Sequence, residues 1–344
     1  MSEPVLTFAP SPENFLVEEI PAYTPSGTGE HTFLWIEKRS LTTFDAVNLL
    51  ARRLGVESRE VGYAGMKDRH ATTRQWISVP RVAPELALGA GDDQLQVLRA
   101  ERHGNKLRVG HLHGNRFETV VGGLPIADDG TGRDRLVKRL EHLAAEGLPN
   151  RYGDQRFGTR ADNTTRGLAV LRGEQRERDH RRRRLLLSAV QSAVFNQVLV
   201  LREQAGQLRR VLSGDVLQKS TSGGVFTTDD PATDQQRLDA GEVVVTGPMP
   251  GGWAREPPSG TEARAIEDQA LAAVGASREE FSAVGRDLPG TRRPLLVPVT
   301  LVPPASGPVE GRPDAVRLKF QLPSGTYATV LLEALGVIVD VRHA

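Results

Sequence analysis

Residues 31–37, HTFLWIE, crowd β-branched and aromatic side chains together and predict a strand. Thr42 or Thr43 then caps a predicted helix with apolar positions Phe44, Val47, Leu49, Leu50 and Leu54, closed by Gly55. Val61–Ala64 and Trp76–Val79 read as short strands, with the polar loop GMKDRHATTRQ, residues 65–75, between them. Residues 95–100, 106–112 and 116–122 read as three more strands joined by short turns. Residues 133–146 form an amphipathic helix that stops at Gly147-Leu148-Pro149. Helix beside neighbouring strands predicts an α+β fold with a mixed, largely antiparallel sheet.

The pattern changes near Asn150. Residues 184–204 predict a long helix with Leu186, Val190, Val194 and Val198 recurring every four residues. Strand and turn signals follow over 211–228, then a Gly- and Pro-rich loop over 246–260. After Pro303-Pro304 the pattern changes again. Val316–Gln321 alternates as a strand does, and Leu322-Pro323-Ser324-Gly325 turns into a helix carrying Tyr327, Val330, Leu331 and Leu332.

Length and composition narrow the class. A chain of 344 residues suggests two domains, and 38% hydrophobic with 25% charged residues reads as globular. The absence of cysteine excludes disulfides, thiol nucleophiles and iron–sulfur clusters. No leader pattern opens the sequence and no run approaches the roughly 20 apolar residues of a membrane span, so the expectation is a cytoplasmic protein without a membrane partner. A net charge of +1 leaves nucleic-acid binding to local patches such as Lys67-Asp68-Arg69-His70 and His180-Arg181-Arg182-Arg183-Arg184.

Candidate chemistry concentrates on the 65–75 loop. No P-loop and no nucleophile elbow is present. Two imidazoles at His111 and His113 lack further metal-ligating neighbours in sequence, so a surface strand is the simpler reading. Asp68 stands among Lys67, Arg69 and His70, and neighbouring cations favour an ionised carboxylate. Such a group suits nucleophilic attack or stabilisation of a cationic sugar carbon, and the same cations draw a phosphodiester toward it. Asn115, in Gly114-Asn115-Arg116-Phe117, offers an amide between two strands able to read a base edge, and Phe15 and Phe117 offer aromatic faces or ordinary core. Arg151 and Arg156, in NRYGDQRFG, suggest a contact surface. A two-carboxylate glycosidase pairing Asp68 with Glu18 or Glu19 fits the same residues and would release a free base.

These stretches together resemble one family. GYAGMKDRHATTRQW, PENFLVEEI, GNRF, NRYGDQRFG, SAVQSAVFNQ and FQLPSGTYAT match motifs of the TruD family of tRNA pseudouridine synthases, over nearly the whole chain. The resemblance implies a discontinuous pseudouridine synthase catalytic domain at 1–149 and 303–344, an inserted α/β TRUD domain at 150–302, and an RNA cleft between them. It implies isomerisation of a flipped tRNA uridine, uridine 13 with the glutamate tRNA favoured, by a monomer. Asp68 takes the place of the catalytic aspartate, Phe15 and Asn115 line the substrate pocket with Phe117 beside them, and Tyr327 stacks on the base. Nothing is oxidised, so no cofactor and no metal is implied. Two departures stand out. Tyr327 occupies a position where many members carry Phe, and Thr7-Phe8-Ala9-Pro10-Ser11 carries no cation where members commonly carry a lysine. The second departure keeps open an alternative, a catalytically weak or inactive RNA-binding member of the family.

Overall fold

The computed structural model describes residues 5–125, 130–158 and 160–339. They divide into two compact units, residues 1–148 with 298–344 and residues 149–297.

The first unit is built on an eight-stranded sheet. Its main strands are β1 (Phe15–Pro21), β2 (His31–Arg39), β3 (Thr72–Pro80), β4 (Leu95–His103), β5 (Leu112–Val121), β6 (Thr300–Val309) and β7 (Arg312–Pro323). They lie in the order β6-β7-β5-β1-β3-β2-β4, and the short strand Gly62–Tyr63 also pairs with β3. Within this sheet only β1 and β3 pair in parallel; the other pairings are antiparallel. The α+β class and the largely antiparallel sheet therefore hold.

Register separates two kinds of side chain. Lys38, Thr73, Val17, Phe117 and Phe320 stand opposite one another across β2, β3, β1, β5 and β7. Glu19, Asn115 and Leu322 form the next row on the same face, because side chains two positions apart point the same way. The other face carries a ladder of ion pairs: Arg74 reaches Glu37 at 2.9 Å and Glu18 at 3.3 Å, and Arg116 reaches Glu18 at 3.2 Å. The inward face is apolar over most of its area. Phe8, Phe15, Phe117 and Phe320 follow one another with centroid separations of 5.3, 6.2 and 5.4 Å.

Helix α1 (Thr43–Leu54) packs Ala46, Val47, Leu50 and Ala51 against Leu34, Ile36, Ile77 and Val79. Thr42 caps it with a reciprocal Asp45 contact, and Gly55 closes it at φ 66°. Two further helices, α2 (Thr131–Glu146) and α3 (Ala328–Ala334), complete this unit's longer elements. The strand expected over 106–112 is instead a loop, pinned where Leu107 N donates to Ser78 Oγ at 2.9 Å and Lys106 Nζ to the Arg59 carbonyl at 2.6 Å. The expected turn around Gly114-Asn115 lies within β5.

The second unit centres on the helix His180–Gln204. Leu186, Leu187, Val190, Val194, Phe195, Val198 and Leu199 are buried there with Leu217, Val243, Val245, Leu271 and Phe281. This helix qualifies the sequence expectation about membrane spans. By length and composition it could cross a bilayer, with mean hydropathy 1.4, yet 56% of that apolar window is buried in the fold. The sheet of this unit, in the strand order Val225–Thr227, Val216–Lys219, Val243–Met249, Thr291–Pro294, pairs antiparallel throughout. Helix and sheet share one core in this unit, and the sheet itself is antiparallel. Asn150 N donates to the Leu295 carbonyl and its Nδ2 to the Pro294 carbonyl, at 2.9 and 3.0 Å, so the first and last residues of this unit run side by side.

Candidate active site

The loop before β3 presents Asp68 on the surface while Lys67 beside it faces inward. Lys67 N donates to Thr43 Oγ1 at 2.9 Å, Thr43 Oγ1 donates to Gln75 Oε1 at 3.1 Å, and Gln75 Nε2 donates to the Gly65 carbonyl at 3.1 Å. The first residue of α1 and a residue of β3 therefore hold both ends of Gly65-Met66-Lys67. Thr72 Oγ1 donates to the Pro12 carbonyl at 2.7 Å, which ties the other end of the loop to the segment before β1.

Asp68 is exposed. Its Oδ1 accepts from His70 N at 2.9 Å, an Asx turn that fixes the side chain, while Oδ2 takes no hydrogen bond among the described residues. Beneath it lies Lys38, fully buried, whose Nζ donates to the main-chain carbonyls of Asp68 at 2.8 Å and Leu41 at 2.5 Å. Burial drives the Lys38 ammonium down to about 8, against the pull of the Asp68 carboxylate and with a further push from Lys67.

Lys67 corrects one expectation. It does not stand on the surface beside Asp68. Its Nζ is buried in an ion pair with Glu19 Oε2 at 2.7 Å, and Glu19 Oε1 accepts from Trp76 N at 3.3 Å. Burial pushes the Glu19 carboxyl up, against the stabilising ammonium of Lys67. This pairing removes Lys67 from any contact with RNA phosphate and removes Glu19 from a two-carboxylate arrangement with Asp68. Arg69 is exposed and His70 half-buried.

The base-reading candidates lie on the inward face described above. Asn115 Oδ1 is buried without a protein hydrogen-bond partner, as are Thr73 Oγ1, Thr119 Oγ1 and Thr326 Oγ1. Orphaned polar atoms are rare in a folded interior; those of Thr73, Asn115 and Thr119 share one sheet face, which marks a place where a polar ligand fits. Phe15 and Phe117 are each 5% exposed and stack on one another. Phe8 and Phe320 flank the pair, so both rings are enclosed on the inward face. Tyr327 is different. It precedes α3 as the cap residue, is half exposed, and its hydroxyl takes no hydrogen bond among the described residues. The turn leading to it leaves β7 at Pro323, opposite Gly114, the neighbour of Asn115.

In the second unit, Arg151 pairs with Glu203 and Arg156 donates to Ser192 Oγ at 3.2 Å. Among the described residues, no group of three or more His, Cys, Asp or Glu is arranged to hold a metal ion.

A family model described as tRNA pseudouridine synthase D (TruD) matches residues 7–179 and 176–335. The chain belongs to the TruD family of tRNA pseudouridine synthases. By that membership it is an isomerase. It is 42% identical over 331 residues to the tRNA pseudouridine synthase D of Anaeromyxobacter sp. (strain Fw109-5), covering 94% of this chain and 90% of the relative. It is 40% identical over 337 residues to a tRNA pseudouridine synthase D of Thermus thermophilus, covering 96% and 89%. The crystal structure of a putative tRNA pseudouridine synthase D from Methanosarcina mazei superposes with a TM-score of 0.76 over 94% of this chain and 92% of that one; at 23% identity it shows a shared fold.

Within this TruD chain, Lys38, Thr43 and Gln75 hold the Asp68 loop, a role that the places of Thr43 and Gln75 in the sequence do not announce. Lys38 carried a signal. It shares strand parity with Thr32, Leu34 and Ile36, all buried, so a period of two places its side chain inside.

Proposed function

We propose that this chain converts a uridine of tRNA to pseudouridine, with Asp68 as the nucleophile, and that the first unit, residues 1–148 with 298–344, is a catalytic domain around an inserted TRUD domain at 149–297. The substrate is uridine 13, with the glutamate tRNA favoured. The observation that carries this reading is Asp68 itself: an exposed carboxylate with one free oxygen, on a loop fastened from below by a buried lysine.

The flipped uridine breaks its C1′–N1 bond with help from Asp68. The uracil turns, C5 bonds to C1′, the C5 proton departs and N1 gains a proton, so the product is an isomer of the substrate. Asn115 Oδ1 takes a hydrogen bond from the base edge, and Tyr327 stacks on its face. Arg69 and His70 approach the backbone phosphates. Lys38 answers the missing N-terminal cation: the charge next to the Asp68 loop comes from β2.

The test is release of tritium from C5-labelled tRNA transcripts by wild type and Asp68→Asn. Release by wild type and none by the variant, with tRNA binding retained by both, is expected. Binding without release from either would favour the reading of a binding protein that has lost its chemistry, for which the cation-free stretch Thr7–Ser11 is the motivating feature. Free uracil among the products would favour a glycosidase.

A further inference from the structure

The run His180-Arg181-Arg182-Arg183-Arg184 resolves into two pairs with different fates. Arg182 meets Glu177 at 3.3 Å and Arg183 meets Asp287 at 2.8 Å. Arg181 and Arg184 form no ion pair among the described residues. Both face an open groove of about 500 Å³ within the second unit.

Helix periodicity explains the sorting. Arg181, Arg184, Leu185, Ser188 and Gln191 follow at spacings of three and four along the helix His180–Gln204 and make one stripe, which forms one wall. Arg156 joins them, anchored on Ser192. The opposite wall is Leu288-Pro289-Gly290. Among the described residues Asp287 is the only carboxylate lining the groove, and it is already engaged by Arg183.

An aromatic side chain stands beside that wall. Gly252 N donates to the Leu288 carbonyl at 3.0 Å and Trp253 N to the Pro289 carbonyl at 2.8 Å. The two segments approach so closely that a Cβ at Gly251 would fall 2.3 Å from Gly290 N. Trp253 is held at this edge by its backbone and is 67% exposed.

We infer that this groove is a second seat for RNA, in which Arg181 and Arg184 hold successive phosphates of an unpaired stretch and Trp253 stacks on one of its bases. The inference rests on the tRNA reading above. Guanidinium groups without carboxylate partners beside an exposed indole match the two features of unpaired RNA, its phosphates and its π-faces. An acidic protein would satisfy the arginines and leave the tryptophan without a reason.

The experiment uses the full chain and unmodified tRNA, and measures binding at several salt concentrations and tritium-release kinetics. Arg181→Gln/Arg184→Gln is compared with Arg210→Gln/Lys219→Gln, a charge-matched pair of exposed cations elsewhere in this unit. Trp253→Ala forms a third arm, and thermal melts confirm that each variant folds. The groove pair is expected to raise Kd and KM about 10-fold with kcat unchanged, and to flatten the salt slope by about 1–2. Trp253→Ala is expected to raise KM about 5-fold or more while leaving the salt slope intact. Groove variants that match the control pair, in an enzyme that converts tRNA, overturn this inference alone. A wild type that binds no tRNA overturns both readings. Competition by polyglutamate as strong as by tRNA at equal charge would overturn the RNA assignment in favour of an acidic protein.

Discussion

The Lys38 ammonium donates to the main-chain carbonyl of Asp68 at 2.8 Å, and the same group holds the Leu41 carbonyl. A single buried cation thus joins the loop that bears the carboxylate to the entrance of α1. Lys38→Met leaves both carbonyls without their donor and frees the loop. A displacement of about 1 Å at a reacting group costs on the order of 100-fold in rate. The variant is expected to lose about 10- to 100-fold in kcat with a smaller change in KM. Equal kcat in stopped tritium-release assays would remove Lys38 from the positioning of Asp68.

Lys38 also makes stability depend on pH in a defined direction. Its folded pKa of about 8 lies below the ordinary 10.5. Between these values the unfolded chain binds the proton and the folded chain does not, so stability rises with pH over that window. Below it the folded state carries the full cost of a buried charge, on the order of 3 kcal/mol. Urea melts at pH 7.5 and pH 10 should show the wild type gaining stability relative to Lys38→Met. A constant difference would mean that the amine is not desolvated.

The Lys67–Glu19 pair is buried on both sides. Removing one partner leaves an uncompensated charge, and Lys67→Met or Glu19→Gln is expected to destabilise the chain by about 3–5 kcal/mol. Lys67→Met/Glu19→Leu removes both charges and should recover most of that loss. Chemical denaturation of the three variants makes the comparison, and additive losses in the double variant would contradict the pairing.

Tyr327 separates stacking from hydrogen bonding. Its hydroxyl has no partner among the described residues, so Tyr327→Phe is expected to keep kcat/KM within about 2-fold. Tyr327→Ala loses the stacking face and should fall about 5- to 100-fold. Kinetics on one tRNA transcript suffice. A Phe variant as poor as the Ala variant would give the hydroxyl a chemical role.

Gly114 is a test of register. A Cβ there would lie 2.3 Å from the Leu322 carbonyl oxygen. Gly114→Ala should therefore push β5 from β7 beside Asn115, costing about 1–3 kcal/mol and a larger share of activity than of stability. Thermal melting and turnover measured together would show whether the two losses separate.

Much of this arrangement was legible in the sequence because local pattern and final structure agree. The capped helix after residue 42, the strands through Trp35 and Trp76 and the helix through Val190 each follow from periodicity. The inward turn of Lys67 did not. A cation in a polar loop looks exposed until the strand opposite supplies a carboxylate, and Glu19 is 48 residues away in the chain. Residues 106–112 misled for a related reason. Their alternation suits a strand, but Ser78 and Arg59 capture them as a loop. Phe15 and Phe117 could be core or pocket by type, and only the register with Phe320 shows them stacked in the interior.

The position of β7 has a consequence in time. β5 ends at Val121, and its neighbour β7 begins at Arg312. During synthesis at roughly 5–20 residues per second, the ribosome needs about 10–40 s to make the chain between them. For that interval β5 presents an unpaired edge, and Phe117 lacks the Phe320 ring that stacks on it. β7 is the last strand to join this sheet, so the row through Val17, Phe117 and Phe320 is complete only once it has been made.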